Sequence, residues 1–347
     1  MKPPMQRAEI LSTHTTTLFD SAVRRAVEAL RRGELVALPT ETVYGLAANA
    51  LDAAAVQRIF DAKGRSAHNP IIVHVSDLVM ARRCAADWPD TAARLAAAFW
   101  PGPLTIVLPR SAEIPDTVTA GGPTVGIRWP SHPFMQAVIR ACGFPVAAPS
   151  ANRSNEISPT SAEHVAHSLG ERISLIIDGG QSQVGIESTV LDISVAPPRL
   201  LRPGMIHDES LLAVTGSLDA GSSAASGTLR SPGLLRKHYA PKARLMVLSW
   251  RDDRDFSTKL AELRSNCEAA LNGTFVITHT QIPLGPAVTG LGNVSVIPHD
   301  AEAFARALYS ELHRCDEAGA ELIIVEAVPR TTEWRAIEDR LQRAAAK

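Results

Sequence analysis

The sequence predicts an α/β protein in which a large, twisted mixed sheet flanked by helices is followed by a smaller open sheet. Three observations support this prediction. Short β-branched runs alternate with amphipathic helical segments through the first part of the chain. The run GSLDAGSSAASGTLR at 216–230 interrupts that pattern with small polar residues, which is typical of a linker. Beyond Arg244 strands and helices alternate regularly, as they do in an open, mostly parallel sheet.

These patterns divide the chain into three regions. We expect a first domain over residues 1–208, a flexible linker over 209–243 and a second α/β domain over 244–347. A chain of 347 residues is long enough to bury two ordinary cores.

Composition excludes several classes of protein. A net charge of −1 and a pI near 6.8 argue against an extended basic surface for nucleic acid. The four cysteines lie far apart and form no C-x-x-C pair, so we expect neither a disulfide framework nor a zinc module. No apolar run approaches the length of a membrane span, and the N-terminus lacks the apolar core of a signal peptide. The sequence therefore predicts a cytoplasmic protein.

The first domain begins with a polar arm or short edge strand over residues 1–18. Apolar spacing and turn residues then predict its helices and strands. The first helix takes Asp20 or Ser21 as its cap, and the last takes Ser158 or Thr160. The expected helices are Asp20–Arg32 and residues 53–62, 89–99, 132–142 and 160–169. The expected strands are Leu35–Leu38, Ile71–Val75, Leu104–Leu108, Thr124–Ile127, Pro145–Ala148, Ser174–Asp178 and one that opens at Glu187.

The second domain shows a simpler alternation. Its expected strands are Leu245–Leu248, Phe275–Thr278, Val294–Ile297 and Leu322–Val325. Its expected helices lie near residues 256–271, 301–318 and 332–345.

The stretch KGRSAHNPIIVHV, residues 63–75, places two cations before a buried strand. Lys63 and Arg65 precede a polar turn that ends at Asn69-Pro70. Lys63 is the only lysine between Lys2 and Lys237. A loop before a rigid strand can hold cations where an anion must sit, with lysine as a point charge and arginine as a planar fork. The alternative is a solvated basic turn.

Other polar residues also gather at predicted strand ends, and their cations suit a ligand with several negative charges. The set comprises Thr42, Lys63, Arg65, Asn69, His74, Arg128, Ser150, Asn152, Ser158, Ser188 and Arg202. The sequence contains no G-x-x-x-x-G-K-[ST] loop, no G-x-G-x-x-G after a strand and no G-x-S-x-G elbow. His164 and His167 share a helix face with Glu163, but solvated polar residues explain them better than a metal site does.

Several of these segments together resemble one protein family. They are LPTETVYGLAANA, KGRSAHNPIIVHV, WPGPLTIVL, PVAAPSANRSNEISPT, IIDGGQSQVGIESTVLDIS and LLRPG. They are similar to the YrdC-like domain of threonylcarbamoyl-AMP synthases. The segment SPGLLRKHYAP, followed by an α/β domain, resembles the two-domain form of that family. The resemblance implies a YrdC-like catalytic domain linked to a smaller Rossmann-like domain.

The resemblance also implies an activity. Members of the family are nucleotidyltransferases that convert L-threonine, bicarbonate and ATP into threonylcarbamoyl-AMP and pyrophosphate. Mg²⁺ would arrive with ATP, and no tightly bound organic cofactor is expected. The product would pass to a tRNA threonylcarbamoyl transferase, which forms threonylcarbamoyladenosine next to the anticodon; a weak RNA contact is left open.

Roles for individual residues follow from the matching motifs. Lys63, Arg65 and Asn152 would be catalytic, and Arg128 would pair with the carboxylate of threonine. The implied threonine pocket is Thr42, His74, Arg128, Ala148 and Ser188. The implied ATP contacts are Arg65, Asn69, Thr124, Ser150, Ser158, Arg202, Arg236 and Tyr239. Family linkers often carry an aromatic residue where Arg236 stands. We expect residues 231–241 to fold over the nucleotide as a lid.

Two other functions compete with this one. A non-catalytic RNA-binding module of translation or ribosome maturation is the main alternative, although aromatic residues are only 5% of the chain and form no base-stacking series. A carbamoyl-transfer domain of hydrogenase maturation is opposed by the lack of acylphosphatase and zinc-finger segments. Threonine-dependent release of pyrophosphate separates the synthase from both.

Overall fold

A computed structural model describes residues 7–219, 238–265 and 272–346. The chain divides into two compact units. The first comprises residues 1–154 and 158–235, and the second comprises residues 155–157 and 236–347.

The strands of the first unit join in a single mixed sheet. They are β1 (Glu9–Ser12), β2 (Val36–Leu38), β3 (Gly45–Asn49), β4 (Val73–His74), β5 (Leu104–Pro109), β6 (Thr124–Arg128), β7 (Val146–Ala147), β8 (Leu175–Asp178), β9 (Thr189–Asp192) and β10 (Arg199–Arg202). Their order across the described sheet is β1-β8-β2-β3-β7-β4-β6-β5-β9-β10. Four neighbouring pairs run parallel: β1/β8, β2/β8, β4/β6 and β5/β9. The remaining neighbours are antiparallel.

Helices flank this sheet and bury its apolar faces. They are α1 (Thr16–Arg31), α2 (Ala53–Lys63), α3 (Leu78–Cys84), α4 (Asp90–Phe99), α5 (Asp116–Thr119), α6 (Pro133–Cys142), α7 (Ala162–Leu169) and α8 (Asp208–Thr215). Helix α1 packs on α6, where Phe19 meets Phe134 edge to face at 5.1 Å. The predicted fold class, a mixed sheet flanked by helices, is confirmed.

Two predicted helix caps are wrong. Helix α1 begins before Asp20, because the Thr15 side chain accepts a hydrogen bond from the backbone N–H of Leu18 and caps the helix there. Helix α7 is capped by Ser161, which accepts from the backbone N–H of His164. In both places the chain offers several hydroxyl or carboxylate residues in succession, and only packing selects among them.

The strand predicted at Ile71–Val75 is shorter than expected. Only Val73–His74 pairs as a strand, between β7 and β6. Ile71 is buried, but its backbone N–H donates to the carbonyl of Val118 in α5. The β-branched run therefore fills the core without forming a long ladder.

The predicted linker over 209–243 begins inside an ordered element. Residues 208–215 form α8, which packs on α4 and buries Leu211. Residues 220–237, with most of the predicted lid, lie outside the described residues. The prediction of a lid over the nucleotide therefore stays a prediction.

The described strands of the second unit form a parallel sheet, as predicted. They are β11 (Arg244–Leu248), β12 (Thr274–Thr278), β13 (Asn293–Val296) and β14 (Leu322–Glu326), in the order β11-β14-β12-β13. All three neighbouring pairs are parallel. The described helices are α9 (Asp253–Ser265), α10 (Ala301–Glu317) and α11 (Arg335–Ala345). Trp250 and Phe256 pack edge to face in the core.

The loop that follows β12 encloses the carboxylate of Glu326, the last residue of β14. The backbone N–H groups of His279 and Thr280 donate to Glu326 Oε2 at 2.6 and 2.9 Å, and that of Gln281 donates to Oε1 at 3.1 Å. The hydroxyls of Thr278 and Thr280 also donate to this carboxylate. Burial acts to raise the pKa of Glu326, but these hydrogen bonds lower it to about 2.

Among the helices in the described ranges, none combines the length and the apolar character that a membrane-spanning helix needs.

Candidate active site

Arg128, at the end of β6, is the centre of a buried polar cluster in the first unit. Its guanidinium donates through Nη1 to Thr42 Oγ1 at 2.9 Å and through Nε to the carbonyl of Gly102 at 3.3 Å. Nη2 lies 2.7 Å from Glu41 Oε1, and both side chains of this ion pair are almost fully buried. Thr42 also exchanges a hydrogen bond with Thr40. The loop after β2 therefore supplies a carboxylate and a hydroxyl to one arginine.

His74 lies beside this cluster as a neutral imidazole. The parallel pairing of β4 and β6 places it in register with Arg128. Burial and, to a smaller extent, the charge of Arg128 lower the pKa of His74 to about 3, while Glu41 opposes the shift. The Nδ1 atom of His74 is buried and has no hydrogen-bond partner in the described part of the chain. An uncharged ring atom is therefore left to hydrogen-bond a ligand.

Ser188, just before β9, joins the same edge of the sheet. β9 runs parallel to β5 and β5 antiparallel to β6, so the start of β9 lies at the edge where β6 ends. The Ser188 hydroxyl contacts Thr105 Oγ1 at 2.9 Å. Arg202 donates to Ser188 Oγ at 3.1 Å and to its carbonyl at 3.0 Å. A second buried arginine is thereby fixed to this edge.

Lys63, the last residue of α2, is buried against the loop after β7. Its ammonium donates to the carbonyl of Ser150 at 2.6 Å and to the carbonyl of Asn152, with Asn152 Oδ1 at 3.5 Å. The loop in turn closes on the helix, since the backbone N–H of Ser154 donates to the Lys63 carbonyl at 2.9 Å. The alternative of a solvated basic turn is wrong for Lys63, because only 3% of this residue is exposed.

Arg65 is half-buried and braces the turn that leads into β4. Nε donates to the carbonyl of Asn69 at 3.0 Å, and Nη2 donates to that of Pro70 at 2.7 Å. Asn69 is buried, and its Oδ1 has no hydrogen-bond partner within the described ranges. The turn therefore presents a cation and an unused amide oxygen next to each other.

Three loops of the first unit are tied together by hydrogen bonds. Tyr44 accepts at its backbone carbonyl from the N–H of Ala151, and its hydroxyl donates to the carbonyl of Gly180 at 2.6 Å. Between the two later loops, Ser158 Oγ donates to the buried carboxylate of Glu187. The loops after β2, β7 and β8 thus form one connected surface that carries both the Arg128 cluster and the Lys63 cluster.

Comparison with known sequences and structures assigns the chain to a family. A profile described as Telomere recombination matches residues 28–204, and one described as Threonylcarbamoyl-AMP synthase, C-terminal domain, matches residues 206–346. Threonylcarbamoyl-AMP synthase of Pyrococcus abyssi is 40% identical over 326 residues, which cover 93% of this chain and 94% of the relative. The Bacillus subtilis synthase is 40% identical over 332 residues, covering 94% and 93%.

The chain belongs to the threonylcarbamoyl-AMP synthase family. Its structure is similar to that of P. abyssi Sua5 complexed with L-threonine, with a TM-score of 0.88 and 36% identity, covering 98% of each chain. The family predicted from the sequence is confirmed.

Within this family member, the structure brings most of the predicted site residues together in the first unit. Thr42, Arg128 and His74 lie together, and Ser188 contacts Arg202 at the same edge of the sheet. Lys63 joins Ser150 and Asn152 in a separate cluster. The other predicted contacts lie on the same elements. Ala148 follows β7, and Thr124 opens β6 in register with Pro109.

The two ATP contacts predicted from the second half of the linker, Arg236 and Tyr239, are not part of these clusters in the described structure. Arg236 lies outside the described residues. Tyr239 lies in the second unit with 1% of its surface exposed, and Arg340 sits over its ring at 5.3 Å from the centroid. Its backbone takes a left-handed conformation with φ of 61°. The Tyr239 ring is therefore part of the packing of the second unit.

Two buried carboxylates of the first unit received no role from the sequence. Glu41 stands between Thr40 and Thr42, and Glu187 precedes Ser188. Both are buried, and each holds a residue assigned to the site, Arg128 and Ser158 respectively. The sequence signal that could have identified them is a carboxylate among small and apolar residues.

Proposed function

We propose that this chain forms threonylcarbamoyl-AMP and pyrophosphate from L-threonine, bicarbonate and ATP. The observation that carries the proposal is the buried edge of the sheet that holds Thr42, Arg128, His74 and Ser188. A fixed arginine, a neutral imidazole and two hydroxyls suit an amino acid whose side chain is itself a hydroxyl. The similarity to synthases over nearly the whole length of both chains, and to a structure that carries L-threonine, supports it.

Little covalent chemistry is required of the protein in this reaction. The amine of threonine forms a carbamate, either from bicarbonate with loss of water or from CO₂ with loss of a proton. A carbamate oxygen then bonds to the α-phosphorus of ATP and displaces pyrophosphate. Rate enhancement comes from holding the reactants in line and from stabilising negative charge as it develops. The first unit offers three buried or half-buried cations for this purpose, at Lys63, Arg65 and Arg202.

The contacts of Lys63 assign it a specific part in this scheme. Its hydrogen bonds go to the Ser150–Asn152 loop, so it fixes the loop that presents Ser150 and Asn152 to the nucleotide. Its charge also lowers the energy of any anion held nearby. Arg65 and Asn69 then meet the phosphates or the nucleoside from the turn before β4.

Mg²⁺ enters this proposal on the phosphates of ATP. Across the described residues, no three or more His, Cys, Asp or Glu side chains are grouped to hold a metal ion. The product is then consumed by an enzyme that transfers the threonylcarbamoyl group to tRNA, and the proposal places this chain in the cytoplasm.

The test is release of pyrophosphate by the full chain with each substrate omitted in turn. The proposal requires release that depends on L-threonine, bicarbonate and ATP together, with threonylcarbamoyl-AMP detected by mass spectrometry. Release without threonine would overturn the assignment. If the chain binds RNA in a separate binding assay and releases no pyrophosphate, the RNA-binding alternative is favoured.

A further inference from the structure

The guanidinium of Arg128 is already occupied in the structure. A guanidinium can donate two parallel hydrogen bonds to a carboxylate from either of two edges. One edge is formed by Nη1 with Nη2 and the other by Nε with Nη2. Both edges include Nη2, which lies 2.7 Å from Glu41 Oε1. Nε and Nη1 have acceptors of their own in Gly102 and Thr42. A carboxylate that approaches Arg128 must therefore displace Glu41 or share the cation with it.

Glu41 is a charged and buried competitor. Burial acts to raise the pKa of its carboxyl, but the neighbouring charge of Arg128 opposes this, and the pKa is lowered. The Glu41 carbonyl accepts from the N–H of Val184 at 2.7 Å, which fixes the backbone at this position. The Glu41 side chain is only 6% exposed. Water therefore screens little of the repulsion between its carboxylate and a second one.

We propose that Glu41 is an internal competitor for the amino-acid carboxylate and sets the affinity of the site for threonine. This inference rests on the proposed function, in which Arg128 receives that carboxylate. In the empty site Glu41 neutralises Arg128, so that no unpaired buried cation remains. In the occupied site Glu41 opposes the ligand through like charge, which favours release of the threonyl group after turnover. Glu41 acts through Arg128 and is a positioning residue.

The decisive variant is Glu41→Gln, which keeps the shape of the side chain and removes its charge. We expect the dissociation constant for L-threonine, measured by calorimetry on the full chain, to fall about tenfold or more. L-threoninamide, in which a neutral amide replaces the carboxylate, should gain nothing in the variant. The KM for threonine should fall with its dissociation constant, while kcat should not rise.

A matched control and a second variant keep the test decisive. Glu113→Gln removes an exposed carboxylate paired to Arg83 at 2.8 Å in the same unit, and it should leave threonine affinity unchanged. Glu41→Asp keeps the charge and withdraws it from Arg128, so threonine affinity should rise by a smaller factor. If Glu41→Gln unfolds, the test uses Glu41→Asp instead. Threonine should then raise the melting temperature of Glu41→Asp by more than it raises that of the wild type.

Two outcomes would overturn the inference alone. Equal threonine affinity in the wild type and in Glu41→Gln would show that Glu41 does not compete. Weaker binding of both threonine and threoninamide would show that Glu41 only holds Arg128 in place. If the wild type neither binds threonine nor releases pyrophosphate in its presence, the proposed function itself fails.

Discussion

Replacing Lys63 with Ala tests the part of the site that the structure defines most sharply. The change removes an ammonium that is only 3% exposed and takes the donor from the carbonyls of Ser150 and Asn152. Each carbonyl left without its partner costs about 1–3 kcal/mol. For the two carbonyls together, we therefore expect the free energy of unfolding to fall by roughly 2–6 kcal/mol, which a domain stable by about 10 kcal/mol survives.

The effect on turnover should be separable from the effect on folding. Loss of one charge-assisted contact in the transition state costs on the order of 3 kcal/mol, or about a hundredfold in rate. The assay is pyrophosphate release that depends on both threonine and bicarbonate, at a temperature where circular dichroism shows the variant folded. Because the Ser150–Asn152 loop moves as well, the KM for ATP should rise while that for threonine changes little.

One further variant separates the charge of Lys63 from its contacts, and another serves as a control. Lys63→Arg keeps the charge, but its planar fork does not match two carbonyls that converge on a compact ammonium, so most activity should still be lost. Lys259→Ala removes a more exposed lysine paired to Asp255 in the second unit and should be neutral. Near-normal kcat/KM for ATP in Lys63→Ala would refute the reasoning.

Three other predictions concern the same unit. Arg65→Ala should lower threonine-dependent pyrophosphate release about a hundredfold with the domain still folded; an unchanged rate would mean that its bonds to Asn69 and Pro70 only brace the turn. Valine should be a much poorer substrate than serine in the same assay, because a polar pocket penalises a missing hydroxyl more than a missing methyl; equal use of valine and threonine would contradict this. The pKa of His74 is lowered to about 3, below its unfolded value, so the stability it contributes above pH 6.5 is lost as the pH falls. Urea unfolding at pH 7 and pH 4.5 should therefore show a loss of roughly 3 kcal/mol that His74→Gln abolishes, and the same loss in the variant would exclude His74 as its source.

The sequence was a good guide wherever local pattern determines structure. The amphipathic segments of α4, α6 and α10 lie close to their predicted bounds, because apolar spacing and flanking breakers act over a few residues. Strand β3, GLAAN, was not predicted, since its small residues have low strand propensity and its place is set by pairing with β2 and β7.

In the candidate site, too, the sequence identified individual residues but not the contacts between them. Motifs identified Thr42, Lys63 and Arg128 as site residues, but their partners could not be read from the sequence. The Arg128 hydrogen bond to Thr42 joins residues 86 positions apart, and the bond from Lys63 to the Ser150 carbonyl joins residues 87 apart. Such pairs follow from a strand order in which β7 inserts between β3 and β4, and no local spacing specifies that order.

The carboxylate of Glu326 limits what the second unit can recognise. Successive backbone N–H groups after a strand form a nest that commonly receives a phosphate, and open parallel sheets often bind nucleotides at that edge. Here the nest already holds an anion of the chain itself. A cavity of about 610 Å³ adjoins it, lined in part by His279, His299, Arg330 and Glu338. A ligand in that cavity would contact side chains instead of the backbone N–H groups, which Glu326 already occupies. The topology of the sheet therefore does not by itself make this unit a nucleotide-binding module.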